Sequence, residues 1–141
     1  MHKLIHILKA DQCSLVVEHQ GQVCTFRQAG VRDLEHLLKH HPCILKGAKV
    51  ADKVVGKAAA ALMVVGGVEA VYAEVLSRKA LPFLEEAQIA YSYGALVDTI
   101  CEEGDRCKLE AISEPGKTPE ETVELLFAHF RQMQTRRAAS R

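Results

Sequence analysis

Residues Val50 to Ser77 read VADKVVGKAAAALMVVGGVEAVYAEVLS and give the strongest fold signal in the chain. Its first residues are typical of a strand end, and the segment from Lys53 to Val65 is apolar apart from its lysines, which predicts a buried helix with Asp52 as its N-cap. Gly66-Gly67 then ends the helix, and Val68 to Leu76 is typical of a central strand. The stretch therefore predicts a βαβ unit.

Length and composition predict one globular domain. The chain has 141 residues, of which 48% are hydrophobic and 26% charged, enough apolar material for a single core. We expect this domain to span residues 1–135, with a basic and disordered tail at 136–141. Lysine plus arginine equals aspartate plus glutamate at 18 each, so the net charge does not support binding to nucleic acid.

The sequence also bears on location and partners. No apolar run reaches the length of a membrane span, and the amino-terminal residues lack the apolar core of a secretory signal, so we expect a cytoplasmic protein. The five cysteines are scattered and contain no Cys-x-x-Cys pair, which is typical of reduced thiols. The sequence leaves the oligomeric state open, a homodimer included.

The chain before the βαβ unit predicts helices and a β-hairpin. A two-residue turn between the hairpin strands would set Val17 opposite Cys24 and Leu15 opposite Phe26. The predicted elements are helix Lys3–Lys9, strands Cys13–His19 and Gln22–Arg27, and helix Val31–His41.

The chain after the βαβ unit predicts further alternating elements. Ser77 is predicted to cap a second helix, and Gly94 to break the strand that follows. Thr118-Pro119-Glu120-Glu121 has the form of a capping box with proline at the first helical position, which predicts a last helix over 118–135. The other predictions are a second helix through Gln88, a strand at Ile89–Tyr93, a short helix at Leu96–Cys101 and an edge strand at Cys107–Ile112.

A group of histidines near one cysteine allows two interpretations. His36 and His40 stand four residues apart on a predicted helix, and His41 and Cys43 follow. Two imidazoles one helical turn apart can share a zinc ion. The spacing matches no standard zinc motif, however, so we interpret these side chains as solvent-facing and predict a protein without metal or cofactor.

The main chemical signal is an excess of cations at two predicted helix starts. Lys53 and Lys57 lie in the first turns of the apolar helix, and Arg78 and Lys79 open the next one. The positive end of the helix dipole disfavours lysine there by about 0.3–1 kcal/mol and favours an anion. Both helix starts follow strand ends, where open α/β sheets bind ligands, so a phosphate or carboxylate could bind between them. Alternatively, the lysine stems reach solvent and Asp52 neutralises Lys53 locally.

The phosphate-binding loop Gly-x-x-x-x-Gly-Lys-Ser/Thr can be tested against the same stretch. Gly56-Lys57 matches its end. Ala51 stands where the first glycine belongs, and Ala58 replaces the hydroxyl that binds a metal ion. The motif is therefore absent.

The zinc deaminase pattern places His-x-Glu at the start of one helix and Pro-Cys-x-x-Cys at the start of the next. The predicted order of helices and strands agrees with that layout. The ligands do not, because Asp52-Lys53-Val54 stands at the first position and Ser77-Arg78-Lys79-Ala80 at the second. Neither the thiolates nor the catalytic glutamate is present.

Three segments together resemble a small prokaryotic domain family of unknown function. They are Ala51–Ala60, Val71–Ser77, and Cys107 followed three residues later by Glu110, and the resemblance covers Cys13 to Glu110. That family is similar in fold to the cytidine deaminases and carries an Asp-Lys signature in place of zinc ligands. The resemblance implies a three-layer α/β/α sandwich with a mixed sheet.

The resemblance also implies which residues form the site. This sequence departs from the family before and after its second cysteine, where the family has Asn-Arg and Cys-Pro-Met-Glu and this chain has Cys101-Glu102-Glu103 and Cys107-Lys108-Leu109-Glu110. The positions that match the family motif are Asp52, Lys53, Lys57, Ser77, Cys107 and Glu110.

Three functions remain open from the sequence. The first is binding of a small anion, phosphorylated or nucleotide-like, by Lys53, Lys57, Ser77, Arg78, Lys79 and Glu110. The second is an enzyme without zinc, in which Lys53 would be the nucleophile or proton-transfer group, Asp52 its partner, Ser77 a hydroxyl at the facing helix start, and Cys107 a thiol. The third is an interaction or scaffold protein.

Overall fold

The computed structural model describes residues 1–27, 30–100, 109 and 111–139, with side chains as far as residue 134. Elements are named here in chain order. They are α1 (His2–Ala10), β1 (Leu15–His19), β2 (Gln22–Phe26), α2 (Gly30–His40), α3 (Pro42–Leu45), β3 (Lys49–Val55), α4 (Lys57–Gly66), β4 (Ala70–Ser77), a 3-10 turn (Arg78–Ala80), α5 (Leu81–Glu86), β5 (Ala90–Val97) and α6 (Pro119–Ala139).

The described strands form one mixed five-stranded sheet in the order β2-β1-β3-β4-β5. The first hairpin is antiparallel, with Val17 opposite Cys24 and Leu15 opposite Phe26 as predicted. β1 also runs antiparallel to β3, whereas β3, β4 and β5 are parallel to one another. The predicted mixed sheet and α/β class are therefore confirmed.

Helix α4 is the centre of the main core. Its residues Ala58 to Met63 are all buried, because it packs against α2, α5 and α6 as well as against the sheet. Its composition follows from that position, since a helix surrounded by protein has no polar face. On the other side of the sheet, α1 packs Leu4 and Leu8 against Val16 and Tyr72.

The start of α4 differs from the prediction. Asp52 and Lys53 lie within β3, and the helix begins at Lys57 with Gly56 as its N-cap. The prediction of Asp52 as a helix cap is therefore wrong. The physical reason is that Val54 and Val55 are stiff, β-branched residues and continue the parallel pairing with β4.

Strand β5 also runs further than predicted. Gly94 does not break it, because the strand continues to Val97. A Cβ at Gly94 would lie 2.9 Å from the carbonyl oxygen of Glu74, so glycine marks a close approach between neighbouring strands rather than a turn. The short helix predicted at Leu96–Cys101 is wrong over 96–100, and Cys101 lies outside the described residues.

The segment after β5 was predicted to contain an edge strand at Cys107–Ile112. Leu109 and residues 111–113 are helical instead. Residues 101–108 and Glu110 lie outside the part of the chain that the structure describes. Leu109 is buried in the main core, which gives this segment an anchor that a strand prediction did not anticipate.

The last helix, α6, begins where the capping box predicted. The Glu121 N–H donates to Thr118 Oγ1 at 3.1 Å. The Glu121 carboxylate accepts from the Lys117 N–H at 3.0 Å. In a standard capping box it would accept from the N–H of the next residue, Thr118. Val123, Leu126 and Phe130 of this helix pack on the main core. The helix runs to Ala139, beyond the predicted end at 135, and residues 140–141 are not described.

Candidate functional site

The candidate site lies at the edge of the sheet where the parallel strands β3, β4 and β5 end. Since the carboxyl ends of parallel strands share one edge, the residues that follow them come together there. These are Gly56 and Lys57 after β3, the turn Arg78–Ala80 after β4, and Asp98 after β5. This edge is the one that the sequence predicted to bind an anion.

Lys57 is the first residue of α4, in the turn whose N–H groups carry the positive end of the helix dipole. Its ammonium nitrogen donates a hydrogen bond to the backbone carbonyl oxygen of Glu114, at 2.9 Å. The same nitrogen lies 5.6 Å from the centre of the Phe83 ring, within the range of a cation–π contact. Lys57 is thus held across the sheet edge rather than extended into solvent.

Lys79 reaches the same residue from the next connection. Its side chain is 38% exposed, and its ammonium nitrogen lies 3.0 Å from Glu114 Oε2. Its backbone N–H donates to Ser77 Oγ at 3.2 Å, so Ser77 caps the turn as predicted. Lys57 and Lys79 therefore converge on Glu114 from two different strand–helix connections.

Glu114 is the residue that sequence reasoning missed. It contacts Lys57 and Lys79 across 57 and 35 residues of chain, respectively, and nothing in its local sequence signals either contact. The hydrogen bond from Lys79 is the main reason why the pKa of Glu114 is lowered, and the charges of Lys79 and Lys57 act in the same direction. The carboxylate is therefore stabilised in its charged form between two cations.

Arg78 and Ser77 contact Asp98 rather than Glu114. The Arg78 Nε lies 2.9 Å from Asp98 Oδ1, in a pair whose side chains are 59% and 90% exposed. Ser77 is fully buried, and its hydroxyl donates to the Asp98 carbonyl oxygen at 3.4 Å. Arg78 is thus paired with Asp98, and Ser77 supports the backbone at the strand end.

Asp52 and Lys53 do not form the predicted pair at a helix start. Asp52 is buried, and its Oδ1 accepts a long hydrogen bond from the Val54 N–H at 3.4 Å. Because successive side chains of a strand point to opposite faces, Lys53 does not face Asp52. The Lys53 backbone N–H donates to the Ser14 carbonyl oxygen at 3.1 Å, which fixes this residue within the sheet.

Two other predicted site residues, Cys107 and Glu110, lie outside the described residues. The histidines form a surface group, in which the ring centres of His36 and His40 are 4.7 Å apart and those of His36 and His41 are 6.2 Å apart. Within the described part of the chain, no group of three or more His, Cys, Asp or Glu side chains could hold a metal ion.

Comparison with known proteins identifies a family. The model of the family TM1506, a domain of unknown function (DUF1893), matches residues 3–130. The crystal structure of a DUF1893 family protein (TM1506) from Thermotoga maritima has the same fold, with a TM-score of 0.80 and 24% identity, over 91% of this chain and 88% of that chain. No curated protein matches. Among the residues that the structure describes, no helix has the length and apolar character needed to cross a membrane.

Proposed function

The chain belongs to the DUF1893 family, and we propose that it binds a small anionic ligand, phosphorylated or nucleotide-like, at the carboxyl edge of its sheet. One observation carries this proposal. The ammonium groups of Lys57 and Lys79 lie within 3.0 Å of oxygens of Glu114. Glu114, from a third segment, supplies an acceptor to each of the two cations, and an anionic ligand would use the same donors.

The position of Lys57 supports the same proposal. A lysine in the first turn of a helix is unfavourable by about 0.3–1 kcal/mol, and a nearby anion reverses that cost. The N-cap of α4 is Gly56, which has no side chain to accept from the first N–H groups. A phosphate or carboxylate group beside Lys57 would therefore accept hydrogen bonds from the ammonium group and from the first N–H groups of the helix.

We further propose that the architecture is a three-layer α/β/α sandwich similar to that of the cytidine deaminases. The mixed sheet, the βαβ unit and the burial of α4 support it. In such a fold the residues at the first ligand position are Gly56, Lys57 and Ala58, where α4 begins, and not Asp52. These residues offer an ammonium group and backbone N–H groups, which suit an anion, and no side chain that binds zinc.

We also propose that the protein is cytoplasmic.

An enzyme without zinc has less support from the geometry. Its proposed nucleophile Lys53 and partner Asp52 are adjacent positions of β3, and the Ser77 hydroxyl is buried and hydrogen-bonded to backbone. Cys107 lies outside the described residues. A scaffold role would need no convergence of cations at all, so Lys57 and Lys79 favour binding over both alternatives.

The proposal is tested by the ligand-induced shift in unfolding temperature. Inorganic phosphate and a panel of phosphorylated metabolites are screened against the wild type, Lys79→Ala and Lys39→Ala at constant ionic strength. Lys39 is a matched control because its side chain is also 38% exposed and also paired with a glutamate, Glu35. A ligand at one hundred times its dissociation constant stabilises the fold by about 2.7 kcal/mol.

We expect Lys79→Ala to reduce that stabilisation and Lys39→Ala to leave it unchanged. Equal stabilisation of all three proteins would mean that the ligand acts through general charge effects, and the proposed site would then be wrong.

A further inference from the structure

The segment that carries Glu114 is held firmly beside the site. Ser113 is fully buried, and the Gly116 N–H donates to the Ser113 carbonyl oxygen at 3.1 Å, which closes a turn around Glu114. The Glu114 side chain itself is 59% exposed. The backbone at this position is therefore fixed, whereas the carboxylate can leave Lys79 and turn into solvent.

The two lysines contact Glu114 in different ways. Lys79 binds the side-chain carboxylate, and Lys57 binds the backbone carbonyl oxygen. A change of the side chain at position 114 removes the charge opposite Lys79 and leaves the carbonyl oxygen opposite Lys57 in place. Lys79 is thus the cation that the Glu114 carboxylate contacts directly.

From this geometry we infer that Glu114 is an internal competitor, whose carboxylate a ligand must displace from Lys79, so that an anion occupies the site only if it attracts this ammonium more strongly than a monocarboxylate does. This inference rests on the proposed anion binding and adds the affinity threshold of that site. Glu114 would then set how strongly an anion must attract Lys79 in order to bind.

The threshold depends on the effective concentration of the tethered carboxylate, and phosphate can exceed it because of its charge. A group tethered on the same chain competes at an effective concentration in the millimolar range or above, so a free carboxylate of the same chemistry gains little by replacing it. A phosphate monoester carries a charge of about −1.5 to −2 at pH 7. Because Coulomb energy is proportional to charge, such a group attracts an ammonium about 1.5 to 2 times as strongly as a carboxylate does.

The test measures the affinities of inorganic phosphate and acetate for the purified full chain by titration calorimetry at constant ionic strength. The proteins are the wild type, Glu114→Gln, Glu114→Ala and Glu124→Gln. Glu114→Ala is included because a glutamine carbonyl could still accept a hydrogen bond from Lys79. Glu124, which is exposed on α6, gives the same change of charge away from the site.

We expect the wild type to bind phosphate more tightly than acetate. Both substitutions of Glu114 should strengthen phosphate binding by about two- to fivefold, because the ligand no longer has to break one exposed ion pair. Glu124→Gln should leave the affinity for phosphate unchanged. Circular dichroism and the unfolding temperature establish that each variant is folded.

Two different failures can be told apart. If neither the wild type nor any variant binds phosphate, the proposed function is wrong and the inference falls with it. If phosphate binds all four proteins equally, or binds the Glu114 variants more weakly than the wild type, anion binding stands and the role of Glu114 as a competitor is overturned.

Discussion

The Lys79 ammonium lies 3.0 Å from Glu114 Oε2, and the two residues are separated by 35 positions in the chain. Both side chains are well exposed to solvent, and exposed ion pairs contribute little to stability. The same Glu114 also accepts from Lys57. We interpret this arrangement as a means of placing two cations side by side rather than as a device for holding the fold together.

The contact between Lys79 and Glu114 should depend on pH. The hydrogen bond and charge of Lys79 lower the pKa of Glu114 in the folded protein. The stability that the contact provides is therefore fully present above the ordinary glutamate pKa of about 4.3, and is lost as pH falls through the lower folded value. The difference in unfolding temperature between the wild type and Glu114→Gln should shrink on acidification through this range.

A double-mutant comparison provides the control for that pH dependence. In a Lys79→Ala background, Glu114→Gln should change the unfolding temperature by a smaller and less pH-dependent amount. The same pH dependence with and without Lys79 would show that the lysine is not the cause.

The close approach of β4 and β5 at Gly94 predicts a loss of stability on adding a methyl group. In Gly94→Ala the new Cβ would lie 2.9 Å from the Glu74 carbonyl oxygen, and we expect a cost of about 1–3 kcal/mol in the free energy of unfolding. Ser92→Ala is the control, because Ser92 is exposed on the same strand and should stay within about 0.5 kcal/mol. Urea denaturation measures both. A Gly94→Ala protein as stable as the control would contradict the assigned strand geometry.

The cap of α6 gives a separate prediction. Thr118→Ala removes the oxygen that accepts from the Glu121 N–H, and should lower the free energy of unfolding by about 1 kcal/mol. Thr118→Ser keeps that oxygen and should lie close to the wild type in the same urea experiment. If the serine variant lost as much as the alanine variant, the hydroxyl would not be the stabilising group.

The histidine group provides a prediction about metal. The spacing of His36, His40 and Cys43 matches no standard zinc motif, so we expect substoichiometric zinc in protein purified without chelator. Elemental analysis measures this. About one zinc per chain, lost in Cys43→Ser, would contradict the prediction.

Local patterns were sufficient to predict part of the fold. The turn between β1 and β2 sets Val17 opposite Cys24, because a two-residue connection leaves one register. Prediction of the start of α4 failed for a non-local reason. Asp52 has the chemistry of a helix cap, but the pairing of Val54 with Val75 on β4 keeps this part of the chain extended. The sequence around Gly94 predicts a break, because a close approach between strands cannot be recognised from one strand alone.

The candidate site was predictable only on its cationic side. Lys57 and Lys79 follow parallel strands, and this topology brings them to one edge. The sequence adds Lys53 to this group only because it predicts a helix that begins before Lys57. Glu114 could not be found, since its partner Lys57 is 57 residues away and its own neighbours give no sign of the contact.

Anion binding at this edge of the sheet can be observed by titrating the isotope-labelled protein with inorganic phosphate at constant ionic strength. The shifts of the backbone amide resonances are then measured in nuclear magnetic resonance spectra. An anion beside the first turn of α4 should cause saturable shifts at the amides of Lys57 and Ala58, and at Lys79, with one common dissociation constant. Lys39 is the internal reference, because its side chain is as exposed as that of Lys79. Shifts that do not saturate, or that are no larger at Lys57 and Lys79 than at Lys39, would contradict the proposal that this edge of the sheet is an anion site.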